Sequence, residues 1–417
     1  MKTTTPKKWI CLVSVSPKLT MSESIVSMDL ARSLVLLGYK VIYLGKRESA
    51  TNDKPFIVGE SIHCIEFKDW SHHSFIANLR MIYRTYEPEL FLCQADPHRF
   101  GHLVNIRKEF PVPFILNSIL DGPPFAEVYR DVFDAFDSIG CLTSITESVL
   151  KSGGYQNTSK LTYIIPSYLQ HQSKDEALNI ICQNNQDLEN HIRSKSRIFT
   201  WINRNIARKN LPLLIQAFRQ HIDTHPNDLL ILHTTTEEPG GHNVMGIINH
   251  LNFPSKEEEP TQHSNILIST TTLNEASSNE YMNALYNLSD FILNVANDEG
   301  FGLSSLYGAY LNKPRISTNT GGLAIQNPEI LVPTETRFYS THLLPVLEIY
   351  ETTIKDVVKA LDTASNLSEE SYCSFAKHAK EQTVYYTVPN QMKDLSNIIK
   401  QATKNYEQNK QPTINTL

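Results

Sequence analysis

Phe291-Ile-Leu-Asn-Val-Ala-Asn-Asp-Glu299-Gly-Phe301-Gly-Leu-Ser-Ser-Leu-Tyr307-Gly-Ala-Tyr-Leu-Asn-Lys-Pro314-Arg-Ile-Ser-Thr-Asn-Thr320-Gly-Gly322 is the stretch on which the reading of this chain turns. It opens as a short apolar strand and passes through a glycine-bearing loop into a short helix. A second strand and a second glycine pair follow. A strand that turns tightly into a helix brings backbone N–H groups and the positive helix end to the carboxyl edge of a parallel sheet, where anions bind. Gly300 and Gly302 let the main chain come close to such a ligand, and Phe301 between them can wedge the loop against its surroundings. Glu299 stands at the mouth of that edge. The stretch predicts a site for something phosphorylated.

Glu299-Gly-Phe-Gly-Leu303, the helix after it, and Asn312-Lys-Pro-Arg-Ile-Ser-Thr-Asn-Thr-Gly-Gly322 resemble the donor loop of the retaining glycosyltransferases of family four. The resemblance implies an α/β protein of two Rossmann-like doubly wound domains facing across a cleft, the GT-B fold. Members of that family usually carry two glutamates eight positions apart here. This sequence has Glu299 but Tyr307.

Composition agrees with two domains. A chain of 417 residues, 41% hydrophobic and 20% charged, exceeds the roughly 250 to 300 residues at which single cores stop growing. A net charge of −6 with thinly spread basic residues argues against nucleic acid as a partner. The six cysteines are far apart and never form Cys-x-x-Cys, which suggests neither a zinc site nor a disulfide framework and fits a reducing, cytoplasmic setting. Trp9-Ile-Cys-Leu-Val-Ser-Val15 follows lysines but is short and lacks a convincing cleavage site, so it reads as a first strand rather than a signal peptide. No stretch approaches the ~20 apolar residues of a membrane span, so membrane contact would be peripheral.

In chain order, strand 9–15 leads through a polar loop, 16–22, to a helix from Glu23 to Leu37 closed by Gly38, and then to strand Val41–Leu44. The family usually has a glycine-rich loop after the first strand, and Ser16-Pro-Lys-Leu-Thr-Met-Ser22 has none. His98 and His102 lie four apart after Asp96-Pro97, a metal-compatible spacing without a third ligand nearby, and no metal is assigned. Strand Pro113–Asn117 runs into Asp121-Gly-Pro-Pro124. These residues resemble an acid-glycine segment near the sugar in some family subgroups, and they are equally ordinary turn chemistry.

The polar stretch 168–196 predicts the domain boundary. The N-terminal domain, 1–190, is expected on the acceptor side and the C-terminal domain, 191–385, on the donor side, with a helix and polar tail over 386–417. The second domain opens with strand Arg197–Asn203 and a turn holding Arg204 and Lys209, five apart and able to converge on one dianion.

The chemistry implied by the resemblance is transfer of a sugar from a nucleoside diphosphate sugar to an unknown acceptor, a glycan, lipid or protein, with retention and no obligatory metal or other cofactor. Arg204, Lys209 and the N–H groups of Phe301, Gly302 and Leu303 would hold the leaving diphosphate. Glu299 would hold sugar hydroxyls, Asp121 would act from the acceptor side, and Tyr307 would border the nucleoside, with Leu303 and Leu306 supplying the buried helix face. The alternative is a catalytically idle GT-B protein that binds nucleotides or scaffolds a partner. A dinucleotide-dependent oxidoreductase is poorly supported, because no Gly-x-Gly-x-x-Gly follows the first strand.

Overall fold

A computed structural model of the chain describes residues 8–19, 22–47, 55–183, 185–256, 259–270, 278–339 and 347–410. Two compact units emerge. One ends at Ile164 and resumes at Tyr386; the other comprises Ile165–Tyr339 and Leu347–Tyr385.

The first unit is built on eight strands: β1 (Trp9–Val15), β2 (Lys40–Lys46), β3 (Phe56–Val58), β4 (Ile62–Phe67), β5 (Leu90–Gln94), β6 (Phe114–Ser118), β7 (Ser138–Cys141) and β8 (Thr158–Lys160). They lie in the order β3-β4-β2-β1-β5-β6-β7-β8, parallel except for the β3–β4 pair. The central strands are apolar almost throughout because helices cover both faces of such a sheet, so alternation disappears. The helix after β1 spans Ser22–Leu36, and Gly38, at φ 96°, makes the left-handed turn into β2. Positions 20 and 21 of the polar loop lie outside the described residues.

The second unit carries β9 (Ile198–Ile202) and β10 (Leu229–Thr234), a small antiparallel hairpin of β11 (Ser255–Lys256) and β12 (Glu259–His263), then β13 (Ile266–Thr270), β14 (Phe291–Asn294), β15 (Arg315–Thr318) and β16 (Ile330–Val332). A further hairpin pairs β17 (Glu335–Tyr339) with β18 (Leu347–Glu351). The main sheet is all parallel, in the order β13-β10-β9-β14-β15-β16. One face packs Leu214, Phe218, Val357 and Leu361 around Phe199 and Leu293. The other packs Leu178, Leu285 and Leu288 around Ile198 and Ile231. Helices on both faces make the unit doubly wound.

The domain boundary falls at 164/165, ahead of the polar stretch 168–196. That stretch contains two helices, Lys174–Cys182, opened by a Ser173/Glu176 capping box, and Gln186–Arg193. Backbone groups of Gln170 and Gln172 bond the Asn283 and Asn287 side chains at 2.9 and 3.1 Å, which ties the segment to the second unit. The terminal helix, Val388–Lys410, returns to the first unit. Its Gln391 accepts from Ser33 Oγ at 2.6 Å and donates to Thr162 O at 2.9 Å, while Leu395, Ile398 and Ala402 are buried. Of the helix and polar tail expected over 386–417, the helix reaches Lys410, and 411–417 lie outside the described residues. Among the described residues no helix is long and apolar enough to cross a membrane.

Candidate functional site

In the second sheet the chain runs β9, β10, β13 to one side and then returns to place β14 on the other side of β9. The carboxyl ends of β9 and β14 therefore flank the point where strand order reverses, the position at which open α/β sheets bind ligands. Two loops leave there. The β9 loop carries Arg204 to Lys209, and the β14 loop carries Glu299.

These loops are tied together. Asn297 N–H bonds Arg208 O at 2.9 Å, and Asn210 Nδ2 donates to Asn297 Oδ1 at 2.9 Å. Asn210 takes a left-handed φ of 56°, which ends the short Ala207–Lys209 turn, and Pro212 helps start the Leu211–His221 helix. The result is a direct ion pair between Lys209 Nζ and Glu299 Oε2, with side-chain exposures of only 8% and 10%. Arg208 Nη1 stands 3.9 Å from the other Glu299 oxygen and donates to Asp298 O at 2.6 Å; Asn294 Nδ2 is 3.5 Å from Glu299 Oε2. Burial pushes the Glu299 carboxyl up. The charges of Lys209 and Arg208, with hydrogen bonds from Lys209 and Asn294, outweigh it and hold the group below the usual carboxylate range.

The glycine loop is held from behind. Gly302 caps the Leu303–Tyr310 helix at φ 87°, in the left-handed region that an L side chain rarely adopts. Gly322 N–H bonds Glu299 O at 2.7 Å, and a Cβ at Gly322 would run into the backbone of Gly300 and Phe301. Gln326 Nε2 donates to Phe301 O and, at 3.1 Å, to Gly302 O. Phe301 is buried and Leu303 half-buried. The second glycine pair thus serves as a backstop for the first.

Arg204 has a different partner from Lys209. Its guanidinium, 66% exposed, pairs with Glu238 on the loop after β10, with Nε 3.0 Å from Glu238 Oε1. In the same two loops Asn203 Nδ2 and His242 Nε2 are buried without a hydrogen-bond partner, which buried polar atoms rarely are. Asn205 side-chain bonds to His242 O, at 2.6 Å, and from His242 N–H, at 2.9 Å, lock the loops together.

Tyr307 is buried on the Leu303–Tyr310 helix, its ring edge-on to Tyr286 with centroids 6.2 Å apart. Leu306 is buried as expected, but Leu303 is the more open of the two leucines. Asp121 is half-buried in the loop from the carboxyl end of β6, in the first unit. His98 and His102 are both exposed, and His102 lies edge-on to His72.

Sequence reasoning missed Arg208, Asn294, Glu238 and Gln326. Arg208 carried a signal, being one of two adjacent cations in the turn. Glu238 and Gln326 carried none, because each meets its partner across 34 and 25 residues of chain.

No family model and no curated protein sequence matches the chain. Solved structures do. Sucrose-phosphate synthase from Thermosynechococcus elongatus superposes with a TM-score of 0.71 at 14% identity, covering 96% of this chain and 99% of that one. A glycosyltransferase from Rickettsia africae gives 0.66 at 15% identity, over 96% and 99%. Anabaena HepE, solved with UDP and glucose, gives 0.66 at 11%, over 94% and 99%. At such identities the likeness is one of fold, and the chain has the GT-B fold.

Proposed function

We propose that the protein transfers a sugar from a nucleoside diphosphate sugar to an acceptor, with retention at the anomeric carbon and no metal in the chemical step. The observation that carries the reading is the buried Lys209–Glu299 pair at the strand-order reversal, beside a glycine-opened helix start. Similarity of fold to HepE, solved with UDP and glucose, adds to it.

In this reading the diphosphate competes with Glu299 for Lys209. Lys209 turns toward phosphate, and Glu299 is released to accept hydrogen bonds from donor sugar hydroxyls. As the glycosidic bond breaks, negative charge grows on the leaving diphosphate. Lys209, Arg204 swung from Glu238, and N–H groups at Phe301, Gly302 and Leu303 stabilise it without reorganising at the moment of reaction. Asn203 and His242 offer unpartnered polar atoms on the same loops for the rest of the donor. Asp121 serves the acceptor side. Hydrolysis or transfer assays with Asp121→Asn are expected to show lower turnover at unchanged nucleotide affinity.

The test is calorimetric titration with UDP, GDP and ADP, followed by turnover of the matching nucleotide sugars. One diphosphate should bind and raise thermal stability. Arg204→Ala should cost roughly 1.5 to 3 kcal/mol of that binding, the worth of a charge-assisted contact. Unchanged affinity in Arg204→Ala and Lys209→Met would refute the site.

Tyr307 favours a second reading, a protein that binds nucleotides without turnover. A phenol makes one hydrogen bond where the family's second glutamate can make a bidentate contact, and this one is buried against Tyr286. Nucleotide binding without turnover of any nucleotide sugar would select it.

A further inference from the structure

Among the described residues one group of side chains has the make-up of a metal centre: His221, His225 and Asp362, whose donor atoms all lie within 4.8 Å of one another. His221 ends the Leu211–His221 helix, His225 follows a turn later, and Asp362 projects from the Ile354–Ser365 helix packed beside it. Asp228, which meets the other ring nitrogen of His221, immediately precedes β10. Glu299 follows β14, a strand parallel to β10 in the same sheet, so the two sites occupy opposite sheet edges.

The buried ring of His221 is held from one side. Its Nε2 lies 3.0 Å from Asp228 Oδ2, and Ser365 Oγ donates to that same oxygen at 2.5 Å. The other ring nitrogen, Nδ1, faces the rest of the group. That Nδ1 lies 2.6 Å from Asp362 Oδ1. The same Asp362 oxygen faces both imidazoles. His225 stacks on His221 with centroids 4.6 Å apart, and its Nδ1 is 3.4 Å from the same Asp362 oxygen.

We propose that His221, His225 and Asp362 bind a divalent cation of the zinc type, with Asp228 and Ser365 as its outer partners. Two imidazoles and one carboxylate are a borderline donor set that suits zinc over magnesium or calcium. A carboxylate on the far nitrogen of a ligating histidine is the usual way its tautomer is fixed. With metal–ligand bonds of ~2.0 to 2.2 Å, tetrahedral ligands stand about 3.3 Å apart. The His225–Asp362 spacing meets this already. Asp362, 36% exposed, opens by less than an ångström from His221, and the partly exposed His225 ring leaves its 2.9 Å contact with Thr224 Oγ1. Water takes the fourth position. The cation would staple the end of one helix, the turn after it and a second helix, remote from the Lys209–Glu299 pair.

The experiment uses the full chain, stripped with a chelator and titrated with Zn²⁺ by calorimetry and with Co²⁺ by visible absorption. One equivalent of Zn²⁺, a tetrahedral Co²⁺ spectrum and a rise in melting temperature are expected, with no response to Mg²⁺. His225→Ala and Asp362→Asn, both at partly exposed positions, should each weaken Zn²⁺ about tenfold or more. Both should keep the nucleoside diphosphate affinity of the unaltered chain, so this result stands or falls apart from the proposed transfer activity. Zn²⁺ uptake that persists in the double variant, or none at all, would overturn the proposal. So would a His221 ring that carries protons on both nitrogens in the presence of Zn²⁺.

Discussion

At the scale of single residues, the buried Lys209–Glu299 pair links stability to the proposed donor binding. Removing one partner of a buried pair leaves the other charge uncompensated and costs up to about 3 to 5 kcal/mol, while replacing both with neutral groups is far less harmful. Lys209→Met is therefore expected to lose stability in denaturant titrations, and Lys209→Met with Glu299→Gln to recover much of it. Neither should bind a nucleoside diphosphate. His233, at the carboxyl end of β10 and bonded to Ser269 Oγ at 2.9 Å, makes a pH prediction. Burial pushes its imidazole down to about 4. As pH falls through about 6.5 the unfolded chain takes up a proton that the folded chain refuses until about 4, so stability drops across that window by about 3 kcal/mol. The contribution is fully present above pH 6.5. His233→Gln should flatten this part of the stability profile, measured by urea unfolding at pH 7 and pH 4.5.

At the scale of elements, the two glycine pairs act as one device. Gly322 lies against the backbone of Gly300 and Phe301, and its N–H holds Glu299 O, so no side chain fits there without moving the loop. Gly322→Ala should leave the circular dichroism of the chain in place while weakening nucleoside diphosphate binding at least as much as Arg204→Ala. Gly302→Ala adds the left-handed penalty, about 1 to 2 kcal/mol, to a clash of the new Cβ with the Leu323 side chain. The strand-turn-helix order of this segment was legible in its residues, because apolar runs, glycines and a following proline are local signals. The role of Gly321-Gly322 as a backstop was not, since it depends on β15 lying beside β14.

At the scale of the whole molecule, the terminal helix belongs to the unit formed by the start of the chain. Asp394 accepts from Thr162 N–H at 3.1 Å and Asn405 donates to Asp137 O at 2.7 Å, alongside the apolar face of Leu395, Ile398 and Ala402. Leu395→Ala should cost about 2 to 5 kcal/mol. In scanning calorimetry the loss is expected in the transition of the first unit, with that of the second unmoved. A chain ending at Tyr385 should retain a folded second unit and lose the first.

The residues by themselves determined that this is an α/β chain with two cores, that a glycine-bearing turn follows Asn294, and that Glu299 stands in it. Hydrophobic periodicity and turn chemistry are written within a few residues and survive without tertiary context. Only the tertiary structure decided that Lys209 meets Glu299 across 90 residues, that Arg204 is held by Glu238, and that Tyr307 is buried against Tyr286. It also decided that the polar stretch 168–196 joins the second unit and that His221, His225 and Asp362 share one corner. Each of these depends on which strands are neighbours and which helix faces them. Contacts between distant segments leave no period or spacing in a single sequence, because loop closure over tens of residues costs little and scarcely constrains which residues meet.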